Sequence, residues 1–140
     1  MSSLLEQARA RAAARRSRQV TISLDELAIE LLCDVPTDTT KVETMRADAR
    51  KFDKGKAVMT HFSRALVAAQ TREIRIAGEP VVVDGETVAF RDPELWPQLQ
   101  VSDAKSAVVE LIGADGDIIN AAGQLMAEAG LTAEDDADPT

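Results

Sequence analysis

The sequence predicts a mainly α fold: a single small helical domain with one β-hairpin, a basic N-terminal arm and a disordered acidic C-terminal tail. Three observations support this fold class. The 140 residues suffice for one modest core. Apolar side chains recur at helical intervals along much of the chain. The dipeptide Asp84-Gly85 separates two short β-prone runs. Aromatic residues make up only 3% of the chain, so we expect a core of small side chains.

Charge is segregated between the two ends of the chain. Residues 1–19 form a basic arm that we expect to be a mobile segment or a frayed helix, because it has almost no apolar stripe. Its cationic residues are Arg9, Arg11, Arg15, Arg16 and Arg18. Residues 131–140 are acidic, carry few apolar anchors and are predicted to be disordered. The folded domain is therefore assigned to residues 20–130.

The first folded element is predicted to be an extended segment followed by a helix. Residues 20–22 are β-prone, and Ser23 with Glu26 matches a capping box. Apolar residues then occupy one helical face, namely Leu24, Leu27, Ala28, Leu31 and Leu32. Pro36 ends this helix, and the polar residues 37–40 provide caps for the next one.

The most regular pattern in the chain predicts a central helix over residues 41–72. Its apolar stripe contains Met45, Ala49, Phe52, Met59, Phe62, Ala65, Leu66 and Ala69. Gly55 interrupts this stripe and indicates either a kink or a split into two helices.

A hairpin is predicted near residues 74–90, where residues 81–83 face residues 87–90 across Asp84-Gly85. Asp92-Pro93 is then expected to open a short helical turn that carries Leu95 and Trp96 and ends at Pro97.

Two further helices are predicted in the last third of the chain. Ser102 and Asp103 are expected to cap a helix, which residues 113–117 interrupt. The helix resumes over residues 118–129, and Gly130 provides a C-terminal stop.

No group of residues in the sequence matches a catalytic, cofactor-binding or metal site, so we expect a protein that is not an enzyme and needs no cofactor. His61 has no second histidine at helical spacing, which favours a structural or surface role. Cys33 follows two leucines and is interpreted as a buried small hydrophobic residue. Asp115-Gly116-Asp117 lacks the ligand spacing of a calcium loop and is interpreted as a helix break with an N-cap.

The overall charge limits the classes of partner. The net charge of -8 argues against a protein that coats nucleic acid or an anionic membrane. No stretch has the length of a membrane span, and residues 1–20 lack the apolar core of a signal peptide. With a single cysteine, the chain is expected to reside in a reducing cytoplasm.

The apolar stripe of the central helix can be interpreted in two ways. Such a stripe is usually a core face. The alternative is that part of it binds apolar helices of partially folded proteins, because methionine side chains repack readily. The hypothesis of a protein-binding surface includes Met45, Met59, Phe62, Leu66 and Trp96.

Roughly residues 20–131 resemble the tail assembly chaperones of long-tailed, siphovirus-type phages and prophages. The similar features are the extended residues 20–22, the alanine-rich segment 63–72, the Asp84-Gly85 hairpin, and the segments 92–96, 102–109, 119–125 and 129–131. The basic arm has no counterpart in this resemblance.

This resemblance implies a non-enzymatic function in virion assembly. Such chaperones coat the helical tape-measure protein and help to recruit tail tube protein. They act in the cytoplasm of the bacterial host cell and are not expected in the mature virion. The acidic ending is compatible with the shorter of two products of a ribosomal frameshift. Homo-oligomerisation is left open. The alternatives are a structural virion component, such as a tail-completion or adaptor protein, and a nucleic-acid-associated regulator that uses the arginine-rich arm.

Overall fold

The computed structural model of the protein describes residues 3–52 and 57–131, and for Phe52 it describes the backbone alone. Over these residues the fold is mixed α/β, with five α-helices and a small antiparallel sheet. The helices are α1 (Leu4–Arg16), α2 (Thr39–Phe52), α3 (Val58–Gln70), α4 (Ala104–Ile112) and α5 (Asp115–Glu128). The mainly α class is therefore corrected, because an antiparallel sheet accompanies the helices and the predicted hairpin.

The strands are β1 (Gln19–Leu24), β2 (Ile29–Asp34), β3 (Thr71–Ile76), β4 (Glu79–Pro80), β5 (Val82–Val83) and β6 (Glu86–Thr87). Four of them form one antiparallel sheet in the order β1-β2-β3-β4, and β5 pairs with β6 in a separate ladder. Residues from β1, β2 and β3 therefore lie side by side although α2 and α3 separate β2 from β3 in the sequence.

The predicted first helix is wrong, because the same residues form the β1–β2 hairpin. Burial alternates along β2, with Ile29, Leu31 and Cys33 buried, which is the pattern of a half-buried strand. A short 3-10 turn over Asp25–Leu27 joins the strands, and Ala28 adopts a left-handed φ of 55°. Non-glycine residues seldom adopt this conformation, so the sequence carried no turn signal here.

The predicted central helix is split into the two helices α2 and α3, which was one of the two alternatives stated for this segment, and the two helices pack against each other. Asp38 caps the start of α2, because its Oδ1 accepts hydrogen bonds from the backbone N–H groups of Thr40 and Lys41 at 3.0 and 3.3 Å. Gly55 lies outside the described residues. Helix α3 ends at Gln70, and the chain continues directly into β3.

Two short turns with positive φ angles shape the region that follows. The predicted hairpin is confirmed, since Val82 pairs with Thr87 across Asp84 and Gly85, whose φ angles are 53° and 83°. An equivalent turn at Ala77 and Gly78, with φ angles of 52° and 83°, joins β3 to β4 and was not anticipated.

The C-terminal helices follow the predicted order with shifted boundaries. The turn near Trp96 is a 3-10 helix over Trp96–Leu99, and Pro97 lies in its first turn instead of ending it. Asp103 caps α4 as predicted, because its Oδ1 accepts the Ser106 N–H at 2.7 Å. Helix α5 starts three residues earlier than expected and is followed by Gly130 with a φ of 77°.

The core lies between one face of the sheet and the helices. Helix α3 packs against α2, α4 and α5, and α5 also contacts β1. The largest fully buried side chains are Phe90, Ile22, Leu31, Leu66, Ile74, Ile118 and Leu125. The predicted arm contains α1, which buries none of its residues. The prediction for the acidic tail concerns residues 131–140, of which 132–140 lie outside the described part of the chain.

Candidate protein-binding cleft

A cleft of about 380 Å³ opens between α2, α3 and the start of α4. Two buried alanines, Ala49 and Ala68, lie at its floor. Half-buried side chains form its walls, namely Met45, Ala65, Ala69 and Ala104. The polar lining residues are Asp48, His61, Arg91 and Lys105. The cleft therefore has an apolar interior and a rim with charges of both signs.

The alanines of α3 create the space in this cleft. Ala65, Ala68 and Ala69 are separated by three and four residues, so they share one face of the helix. Their small side chains leave a depression, and Met45 closes one side of it. Because methionine is unbranched, Met45 can adjust to different apolar side chains.

Two of the five residues predicted for partner binding lie in the core. Phe62 is 4% exposed and Leu66 is fully buried. The guanidinium of Arg46 also covers the ring of Phe62. These two side chains therefore support α3 from within, and Met45 is the predicted residue that lines the cleft.

The other two predicted residues lie away from the cleft. Met59 is 43% exposed, but it precedes His61 by two residues and so lies about 160° around α3 from it. Trp96 is half-buried, and its Nε1 donates a hydrogen bond to the Phe90 carbonyl oxygen at 2.7 Å. The structure thus does not bring the five predicted residues together.

Sequence reasoning missed the alanines that line the cleft, although Ala49, Ala65 and Ala69 had been placed on the apolar stripe. Alanines that recur at helical intervals are found both on buried core faces and in surface clefts, so the pattern does not distinguish the two. Whether these alanines line a cleft depends on how α2 and α4 pack beside α3, which the sequence pattern does not encode.

His61 lines this cleft and an adjacent one of about 370 Å³, which Arg64 and Lys105 also line. In residues 3–52 and 57–131, no three His, Cys, Asp or Glu side chains are placed to hold a metal ion.

Cys33 is buried on the core face of β2, as the sequence predicted. Its Sγ lies 3.6 Å from the Thr71 Oγ1, and burial raises the pKa of the thiol to about 11. A thiol in this environment stays protonated near neutral pH and is a poor nucleophile.

Asp115-Gly116-Asp117 forms the first turn of α5, so these residues are not the predicted helix break, which lies at Gly113 and Ala114 instead. The cap residue is Ala114, however, and it offers no side-chain cap. Arg64 binds the Asp115 carboxylate through Nη2 at 2.9 and 3.0 Å, which ties α3 to the start of α5.

No helix in the described ranges combines the length and the apolar character of a membrane span. Comparisons with protein-family models, with curated proteins and with solved structures give no significant match.

Proposed function

We propose that this protein is a non-enzymatic tail assembly chaperone of a siphovirus-type phage or prophage. It binds and solubilises the tape-measure protein and helps to recruit tail tube subunits in the cytoplasm of the host cell. The observation that carries this proposal is the alanine-floored cleft between α2, α3 and α4. The resemblance of residues 20–131 to tail assembly chaperones specifies the client.

The shape of the cleft suits one face of an amphipathic helix. Helix-in-groove recognition requires an apolar depression that accepts side chains at positions i, i+3, i+4 and i+7 of the partner. The floor at Ala49 and Ala68 supplies the depression, and Met45 supplies an adaptable wall. The resemblance implies a long, helical tape-measure protein, so several chaperone copies would bind one client.

The charge of the chain fits a solubilising role. A net charge of -8 per copy would give a coated client a large negative charge, which opposes aggregation of its apolar segments. Binding through a shallow cleft is also reversible, as displacement by tube subunits requires.

Co-purification tests the proposal. The tagged protein is expressed together with the tape-measure protein of the same phage, and the complex is analysed by size-exclusion chromatography with light scattering. We expect a soluble complex that contains several copies of this chain per client. Absence of a complex, with the protein folded, would contradict the proposal.

The composition of finished particles separates the chaperone from a structural virion component. A chaperone is absent from purified virions. Detection of this chain in stoichiometric amounts by mass spectrometry of virions would favour a tail-completion or adaptor protein.

The exposed helix α1 favours one alternative, a nucleic-acid-associated regulator. Its 13 residues carry Arg9, Arg11, Arg15 and Arg16, and none of them is buried. If this alternative holds, DNA binding should weaken steeply with salt and disappear when these arginines are replaced by glutamine. As a chaperone, the protein should show no such binding at physiological salt.

A further inference from the structure

The edge strand β1 has a complete row of backbone groups without a strand partner among the described residues. Val35 N–H donates to the Arg18 carbonyl oxygen at 2.9 Å, so these residues form a hydrogen-bonded pair at the end of the β1–β2 ladder. Hydrogen-bonded pairs alternate along an antiparallel ladder. The register continues without a shift through Leu24, so Gln19, Thr21 and Ser23 direct their N–H and C=O groups away from β2.

This edge also lacks the features that usually protect an exposed strand. All six residues of β1 are uncharged, and Val20, Thr21 and Ile22 are β-branched. The other edge of the sheet, β4, has two residues and includes Pro80, which cannot extend a ladder. Gln19, Thr21 and Ser23 are exposed, whereas Ile22 is buried on the core side, where α5 contacts β1.

We propose that β1 pairs antiparallel with β1 of a second copy of this chain, forming a two-fold symmetric dimer with a continuous eight-stranded sheet. In the register that places Thr21 opposite Thr21 of the other copy, Gln19 lies opposite Ser23. The backbone N–H and C=O groups of Gln19, Thr21 and Ser23, which point away from β2, are then all hydrogen-bonded to the other copy. Val20 lies opposite Ile22 on the inner face, so the apolar face continues across the dimer.

The charges that flank β1 favour a second copy in the antiparallel orientation. Arg15 and Arg16 end α1 just before β1, and Asp25 and Glu26 follow β1 directly. All four residues are exposed. Antiparallel pairing places the basic flank of one copy beside the acidic flank of the other, twice in each dimer. Parallel pairing would place like charges together and is disfavoured.

Light scattering over a range of protein concentrations tests this proposal. We expect a mass that rises from 15.0 kDa towards twice that value. Thr21→Pro removes an outward N–H that the fold does not use, so it should leave a folded monomer. Circular dichroism reports whether that variant is folded. A mass of 15.0 kDa at every concentration would overturn the proposal, and so would a folded Thr21→Pro protein that still dimerises.

Charge reversal provides a second test that leaves the backbone of β1 unchanged. Replacing Asp25 and Glu26 by arginine should weaken the dimer, and adding Arg15→Glu and Arg16→Glu should restore it. Equal dimerisation of all these variants would exclude the antiparallel β1 interface. If the wild-type protein is a monomer and substitutions in β1 abolish its binding to the tape-measure protein, the edge binds a strand of the client instead. This result would also overturn the proposal.

Discussion

The guanidinium of Arg46 lies over the ring of Phe62, 5.1 Å from the ring centroid. Its Nη1 also donates to the Glu43 Oε1 at 2.7 Å, and the arginine side chain is only 11% exposed. Arg46 therefore joins α2 to α3 through its aliphatic stem and its charge, and it closes the core above Phe62. Phe62, which the sequence analysis included in a partner-binding surface, is thus covered by an arginine of the same chain.

Replacing Arg46 by alanine should destabilise the fold. We expect a loss of about 1–2 kcal/mol in the free energy of unfolding, because both the cation–π contact and the packing of the stem disappear. Urea denaturation measures this loss. Arg50→Ala, at an exposed position of the same helix, is the matched control and should change stability by less than about 0.5 kcal/mol. Equal effects of the two substitutions would contradict the assigned role of Arg46.

The cap at Asp103 predicts a dependence of stability on pH. Hydrogen bonds from Ser106 lower the pKa of the Asp103 carboxyl below 3.8. Because the folded-state pKa is lowered, the stabilisation is complete above the unfolded value and is lost as the pH falls through the folded value. Asp103→Ala should therefore cost about 1 kcal/mol at neutral pH and less in acid.

Asp103→Asn is the control for the pH dependence, since asparagine caps helices as well as aspartate does and carries no ionisable group. Chemical denaturation of the three proteins at several pH values makes the comparison. A penalty for Asp103→Ala that does not change with pH would show that the carboxylate charge is irrelevant.

The burial of Cys33 predicts slow thiol chemistry. With a pKa of about 11, about one thiol in a thousand is ionised near pH 8, compared with about one in ten at the ordinary thiol pKa of 9.0. Ellman's reagent should react with the native protein at least about a hundredfold more slowly than with the protein in urea. Ser23→Cys, at an exposed position of β1, should add one rapidly reacting thiol. Rapid reaction of Cys33 itself would show that β2 opens readily.

The raised pKa of Cys33 also has a consequence at high pH. The contribution of the protonated thiol to stability is complete below pH 9.0 and is lost as the pH rises towards about 11.

Ser63 is fully buried, and its Oγ has no hydrogen-bond partner among the described residues. Ser63→Ala should therefore leave stability unchanged or raise it by up to about 1 kcal/mol, because an unsatisfied hydroxyl is removed. Thr71→Val is the control, since the Thr71 Oγ1 donates to the Val67 carbonyl oxygen at 2.7 Å and its loss should be destabilising. Thermal unfolding distinguishes the two, and a larger loss for Ser63→Ala would contradict this expectation.

The parts of the fold that were predicted correctly carry local chemical signals. Asp84-Gly85 adopts the two positive φ angles of its turn, and Asp103 caps a helix through a side-chain oxygen. The β1–β2 hairpin was missed because Ala28 carries the left-handed conformation at its turn. Leu24, Leu27 and Leu31 match a helical stripe, yet Leu27 is 40% exposed in the turn. The pairing of β2 with the distant β3 favours the strand pattern, and it is not visible in the local sequence.

The candidate site was less predictable than the fold, because it depends on which apolar positions the helices cover. Phe62 and Ala65 both belong to the stripe of α3, but the first is buried and the second lines the cleft. Periodicity identifies an apolar face without showing which part of it is covered by another element. The packing of α2, α4 and α5 around α3, much of it between residues distant in sequence, makes that distinction.

The most direct test of the proposed cleft compares one charge placed inside it with the same charge outside it. Ala65→Glu introduces a carboxylate on the cleft wall, and Met59→Glu introduces it at an exposed position of α3 that does not line the cleft. Binding of the tape-measure protein to both folded variants is measured by titration calorimetry. We expect Ala65→Glu to weaken binding at least about tenfold, equivalent to about 1.4 kcal/mol, and Met59→Glu to leave it unchanged. Wild-type affinity of Ala65→Glu, or an equal loss in both variants, would contradict the assignment of the cleft as the client site.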